Sequence, residues 1–143
     1  MDAYVNLMQT IRSFTNVIAR LRDVNLRPTR QRIALAKMLF EGDDRHITAE
    51  ILHQETQKTN TRISLATIYN TLNQFSSAGL LREIVVDSQR CYFDTNTTDH
   101  HHFFFEKTNE LKDIEAGDVV LAIVPLAPAG TVIKRIDVVV RVE

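Results

Sequence analysis

Residues 63–81 read ISLATIYNTLNQFSSAGLL, and this stretch decides the fold. Ser64 is placed to cap a helix, its hydroxyl accepting from an otherwise unpaired amide of the first turn. Leu65, Ile68, Leu72 and Phe75 recur at three- and four-residue steps, which makes one buried stripe. Gly79 supplies a left-handed stop. The opposite face carries Thr67, Tyr69, Asn70, Asn73, Gln74 and Ser77, none of them charged. Such a face suits base edges in a major groove, where side-chain amides pair with adenine and apolar carbon packs on the thymine methyl. An ordinary solvated helix side would serve equally well for this segment alone, so the neighbouring segments decide.

Upstream, Val5, Met8, Ile11, Val17 and Leu21 fall at roughly helical spacing, giving a first helix over 3–22. LRPTRQRIALAKMLFEG gives a second helix, with Pro28 in its first turn, a buried face of Ile33, Leu35, Ala36, Leu39 and Phe40, and Gly42 as its end. DDRHI (43–47) reads as a polar link, and Thr48 opens a third helix to about Lys58. Downstream, LREIVVD and RCYFDT form a β-hairpin turning near Asp87 to Gln89. Helices followed by a hairpin is the order of a winged helix-turn-helix, whose last helix enters the major groove. Arg27, Arg30 and Arg32, with Arg90 at the hairpin tip, then become contacts to the DNA backbone or minor groove; Thr67, Tyr69, Asn70 and Asn73 face the bases.

The rear of the chain changes character. HHFFFE and ELKDI read as two strands around Lys107 to Asn109, GDVVLAIVPLA as a short helix, and Pro125, Pro128 and Gly130 as a loop. Val132, Ile136, Val138, Val140 and Val142 alternate onto one face of a final strand. The expected class is α+β: a winged helix-turn-helix domain over 1–96 and a small α/β dimerisation domain over 97–143. A segment of about 45 residues is below the size that normally folds alone, which favours a homodimer, and a two-fold protein matches a palindromic operator.

Charge follows the same division. Residues 1–32 hold six arginines against two acids, whereas the chain from residue 99 holds five basic and eight acidic residues, so the front half is the one suited to phosphates. Cys91 is the only cysteine, which excludes an internal disulfide and a multi-thiolate zinc site within one chain. The start lacks the pattern of a secretory signal and no apolar run approaches a membrane span, so a soluble, cytoplasmic protein with no membrane partner is expected.

Residues 99–102 read Asp-His-His-His. In an extended strand His100 and His102 share a face and His101 points away. His46, Asp94 and Asp113 bracket the same region, and a mixed nitrogen and oxygen set suits iron(II), manganese(II) or zinc. Three adjacent histidines also occur in solvated linkers; metal or haem ligation is the preferred reading.

LRPTRQRIALAKML, HITAEIL, ISLATIYNTLNQFSSAGLL, YFDT and DHHHFFFE together resemble the ferric uptake regulator (Fur) family over nearly all the chain from Leu26. Within it, YFDTNTTDHHHFF and the ending IDVVVRVE look most like the iron response regulators, haem-responsive transcription factors acting on iron and haem-synthesis genes. The resemblance implies a base-contacting role for Tyr69, minor-groove entry by Arg27, and metal ligation by His46, Asp94, His100, His102 and Asp113. Asn70 replaces a basic residue common at its position. A structural-zinc cysteine pair is replaced by Phe105 and Thr108, so no structural cysteine-zinc site is expected. The Cys-Pro haem motif is also missing, since Tyr92 follows Cys91, which leaves His100, His101 and His102 as candidate haem ligands.

The leading expectation is therefore a homodimeric, non-enzymatic regulator of duplex DNA responsive to iron or haem, with a haem-synthesis protein as a further partner. The rival is a metal-dependent or peroxide-sensing repressor, because Asp at both carboxylate positions resembles the peroxide sensors. A small metallohydrolase using the histidines and Asp94 is the remote alternative; no general base stands beside an open metal position.

Overall fold

The computed structural model describes residues 2–143, and for residues 6 and 9–15 the backbone alone. Ile11 and Arg12 thus lie outside the described side chains. The chain divides into two compact units, one of Met1–Val85 with Arg90–Thr97, the other of Val86–Gln89 with Thr98–Glu143. The class is α+β, with a helix-turn-helix unit in front and a smaller sheet-bearing unit behind.

Four helices build the front unit, and a local hydroxyl or carboxylate starts each. In α1 (Ala3–Asp23) Asp2 accepts from the Tyr4 amide, and in α2 (Arg30–Phe40) Thr29 accepts from that of Arg32. Pro28 therefore lies outside the second helix, not in its first turn, because the Thr29 hydroxyl takes the capping position. Thr48 caps α3 (Ala49–Lys58) and Ser64 caps α4 (Leu65–Ser77). Gly79 follows α4 at φ +83°, a conformation only glycine adopts without strain. Ile68, Leu72 and Phe75 of α4 are fully buried with Leu35, Leu39 and Leu52, so the apolar stripe closes the core.

Three strands complete this unit. The link 43–47 is not wholly irregular: His46–Ile47 forms β1, which pairs antiparallel with β3 (Cys91–Asp94), itself paired antiparallel with β2 (Arg82–Val85). Two residues carry too little periodicity to signal a strand, and their pairing partner lies far along the chain. The register sets His46 opposite Asp94 and Ile47 opposite Phe93.

In the rear unit β4 (His102–Phe105) is the central strand, antiparallel to β5 (Glu110–Asp113) and parallel to β6 (Val139–Val142). Val86, Phe104 and Ile114 are its buried apolar residues among those described. The short helix expected over GDVVLAIVPLA is not formed; the segment is turns and irregular chain. Gly117 at φ +93°, Pro125 and four β-branched residues between them all disfavour a helix there. Ile123 and Leu126 are 89% and 95% exposed. The last strand is also shorter than the alternation implies: Val132 is 90% exposed, and pairing spans only four residues, the length of β4.

Candidate functional site

Two groups of polar side chains stand out in the front unit. The first lies on α4, where Tyr69, Asn70, Asn73, Gln74 and Ser77 are exposed while Ile68, Thr71, Leu72 and Phe75 are buried. Thr67 is half-buried, and its hydroxyl accepts from that of Ser64 at 2.9 Å, so it belongs as much to the cap as to the surface. Tyr69 donates a short hydrogen bond to Glu50, on the first turn of α3. That bond, with partial burial and the negative charge of Glu50, raises the phenol above its ordinary range.

The arginines differ from one another. Arg27, Arg30 and Arg90 are exposed. Arg32 is not a free cation at the surface: Nη1 donates to the Arg27 carbonyl at 2.9 Å and Nη2 to Gln74 Oε1 at 3.0 Å. It ties the segment carrying Arg27 to α4, a link that sequence spacing across 42 residues does not reveal.

The second group is the pair His46 and Asp94. Asp94 is 1% exposed, with Oδ2 3.1 Å from His46 Nε2 and Oδ1 accepting from the Asn96 amide at 2.9 Å. One carboxylate oxygen is thus held by backbone and the other is aimed at the imidazole. Arg45, immediately before His46, is clamped by two bonds to Glu55, at 2.9 and 2.6 Å, and its amide donates to Thr95. These contacts fix the short β1 strand in its register.

In the rear unit the ladder places His102 opposite Asp113. Asp113 Oδ1 lies 3.3 Å from Nε2 of both His100 and His102, whose ring centroids are 4.4 Å apart. The candidate ligand atoms of these three residues lie within 4.8 Å of one another. His100 Nδ1 is 2.6 Å from the Thr98 carbonyl, which only accepts, so Nδ1 carries a proton and Nε2 is the nitrogen turned to Asp113. Two imidazole nitrogens and a carboxylate oxygen converge here at distances that a shared cation can bridge. The donor set therefore fits a small divalent ion.

His101 is excluded from that set. Its Nδ1 accepts from the Val138 amide at 3.1 Å, so this ring helps to hold the end of β6 against β4. Cys91 is half-buried, and its thiol donates to Glu83 at 3.0 Å; burial first, then that bond and the charge of Glu83, pushes its pKa up to about 12. A thiol held neutral in this way is a poor ligand and nucleophile.

Two peroxide-responsive repressors PerR are similar in sequence. That of Staphylococcus epidermidis is 35% identical over 96 residues, 67% of this chain and 63% of the relative. That of Staphylococcus aureus strain Mu50 is 34% identical over 98 residues, 68% of this chain and 66% of the relative. The chain thus spans slightly less than two-thirds of these relatives. Among solved structures, the Vibrio cholerae ferric uptake regulator aligns with TM-score 0.69 at 20% identity, covering 88% of this chain and 98% of the other. The Pseudomonas aeruginosa ferric uptake regulator with manganese aligns with TM-score 0.65 at 22% identity, covering 88% and 96%. No helix among the described residues is long and apolar enough to cross a membrane. A model of the ferric uptake regulator family matches residues 23–127, and the chain belongs to that family.

Proposed function

We propose that this protein is a homodimeric, sequence-specific regulator of duplex DNA whose binding responds to a divalent metal ion. The observation that carries the reading is the exposed side of α4, where Tyr69, Asn70, Asn73, Gln74 and Ser77 present hydroxyl and amide groups and no charge. Amides and hydroxyls can pair with base edges, where sequence is read, and an uncharged face adds no undirected attraction to phosphate. Arg27, Arg30 and Arg90 supply backbone contacts beside it. The exposed apolar residues Val120, Ile123, Leu126 and Val132 of the rear unit support burial against a second copy.

In this reading His100, His102 and Asp113 are metal ligands of the rear unit, and His46 and Asp94 are candidate ligands of the front unit. A bound ion supplies a fixed charge to be shared by these donors; the chain supplies the tautomer of His100 through Thr98 and the aim of Asp94 through Asn96. Iron, manganese and zinc all suit such donors.

A small ion is favoured over haem. The cavity beside His100 and His101, lined also by Ile114 and Val119, is about 210 Å³, below the roughly 300–1,000 Å³ of organic-ligand sites. His101 is engaged with Val138. A haem-synthesis protein as partner forms no part of this reading. Peroxide sensing is the second reading, favoured by the two repressors above and by the paired aspartates Asp94 and Asp113.

Gel-shift over genomic fragments, with manganese, zinc or haem added to stripped protein, tests the proposal. Selective, metal-dependent retention is expected, with no Soret shift on haem addition. Sequence-blind, salt-labile retention, or a strictly monomeric particle, would overturn it. For peroxide sensing, mass spectrometry of the iron-loaded protein after peroxide should find added oxygen on His46 or His100.

A further inference from the structure

Glu50 is an acid on a surface that the proposed function turns towards a polyanion. It lies in the first turn of α3, is exposed, and accepts a hydrogen bond from the phenol of Tyr69 on α4. A carboxylate near phosphates weakens binding by simple repulsion, so its presence there calls for a compensating use.

The use lies in the proton. A phenol has one hydrogen to donate and lone pairs to accept with. With its hydrogen committed to Glu50, Tyr69 offers outward only acceptor capacity. In the major groove an acceptor matches the amino groups of adenine and cytosine and mismatches guanine N7 and O6 and thymine O4. A free phenol would rotate and satisfy either class.

We propose that Glu50 is a positioning residue that sets base preference at the operator position facing Tyr69, by fixing the phenol as an acceptor that favours a base bearing an exocyclic amino group. The inference rests on the DNA-reading role of α4 proposed above. Glu50 touches no base itself; it works through Tyr69. Its conservative amide, which can still accept the phenol hydrogen through Oε1, preserves the orientation, whereas alanine releases it.

Selection from randomised duplexes by the full-length, metal-loaded protein tests this, comparing wild type with Glu50→Ala, Glu50→Gln and Tyr69→Phe. Both helix positions are solvent-facing, and melting curves verify that each variant is folded. Wild type should show a preference at one operator position that falls about five- to tenfold in Glu50→Ala and in Tyr69→Phe, the worth of about one base-directed hydrogen bond. The double variant Glu50→Ala/Tyr69→Phe should lose no more than either single one, and Glu50→Gln should keep most of the preference. A general gain in affinity for all sequences in Glu50→Ala, with preference unchanged, would overturn the inference and leave Glu50 a mere repulsive charge. Wild-type protein that selects no sequence would overturn the DNA-reading role with it. Spectroscopic titration separates the two failures, since Glu50→Ala should let the Tyr69 phenol ionise at lower pH whether or not DNA is read.

Discussion

His102 and Asp113 face one another directly across β4 and β5, with Nε2 of the one 3.3 Å from Oδ1 of the other. His102 is 2% exposed, whereas the Asp113 side chain is 46% exposed. The buried member is held by the sheet and the open member stands at the solvent side. This pair, joined by His100, is the rigid part of the proposed metal shell.

Removing Asp113 should therefore weaken metal binding with little loss of fold. Asp113→Ala is expected to lower manganese or zinc affinity by at least the ~10–100-fold that even a supporting group is worth. His101→Ala should leave affinity nearly unchanged while lowering the melting temperature, because its ring holds Val138. Calorimetric titration of both variants checks the contrast.

The arginines should separate in salt. If Arg30 meets a phosphate, Arg30→Ala weakens binding uniformly across sequences and reduces the slope of log affinity against log salt by about 1. Arg32→Ala frees Gln74 and the Arg27 segment, so it should relax sequence preference with little change in slope. Fluorescence anisotropy at several salt concentrations distinguishes them.

Cys91 should be unreactive in the folded protein. Its thiol is neutral up to about pH 12 when folded, against an ordinary 9.0. The folded pKa is the raised one, so the stabilising preference is full below pH 9 and is lost as pH climbs from 9 towards 12. Urea midpoints should fall more steeply over that range in wild type than in Cys91→Ala, and thiol reagents at pH 8 should label only on denaturation.

The α4 stripe should dominate stability. Leu72→Ala, at a fully buried position, is expected to cost about 2–5 kcal/mol, and Ser64→Ala, which removes a cap, about 1 kcal/mol. Denaturant unfolding followed by circular dichroism measures both.

Much of this was legible in the chain because helices and hairpins are local. Ser64, Thr48 and Gly79 act within a turn of their own position, and the spacing of Ile68, Leu72 and Phe75 depends only on helix pitch. The alternation through His100, His101 and His102 likewise follows from an extended backbone. What could not be read was pairing at a distance: the two-residue β1 strand against Asp94, the bridge from Arg32 to Gln74, and the grip of Glu50 on Tyr69.

By itself the sequence determined the helical order, the polar side of α4, the alternation of His100, His101 and His102 and the sole, isolated cysteine, all consequences of periodicity and residue chemistry. Tertiary structure alone decided that Arg32 is spent on internal bonds, that Glu50 accepts the Tyr69 hydrogen bond, and that residues 117–127 stay irregular. Those outcomes depend on which groups meet after folding, and a hydrogen bond between residues dozens of positions apart leaves no local pattern to find.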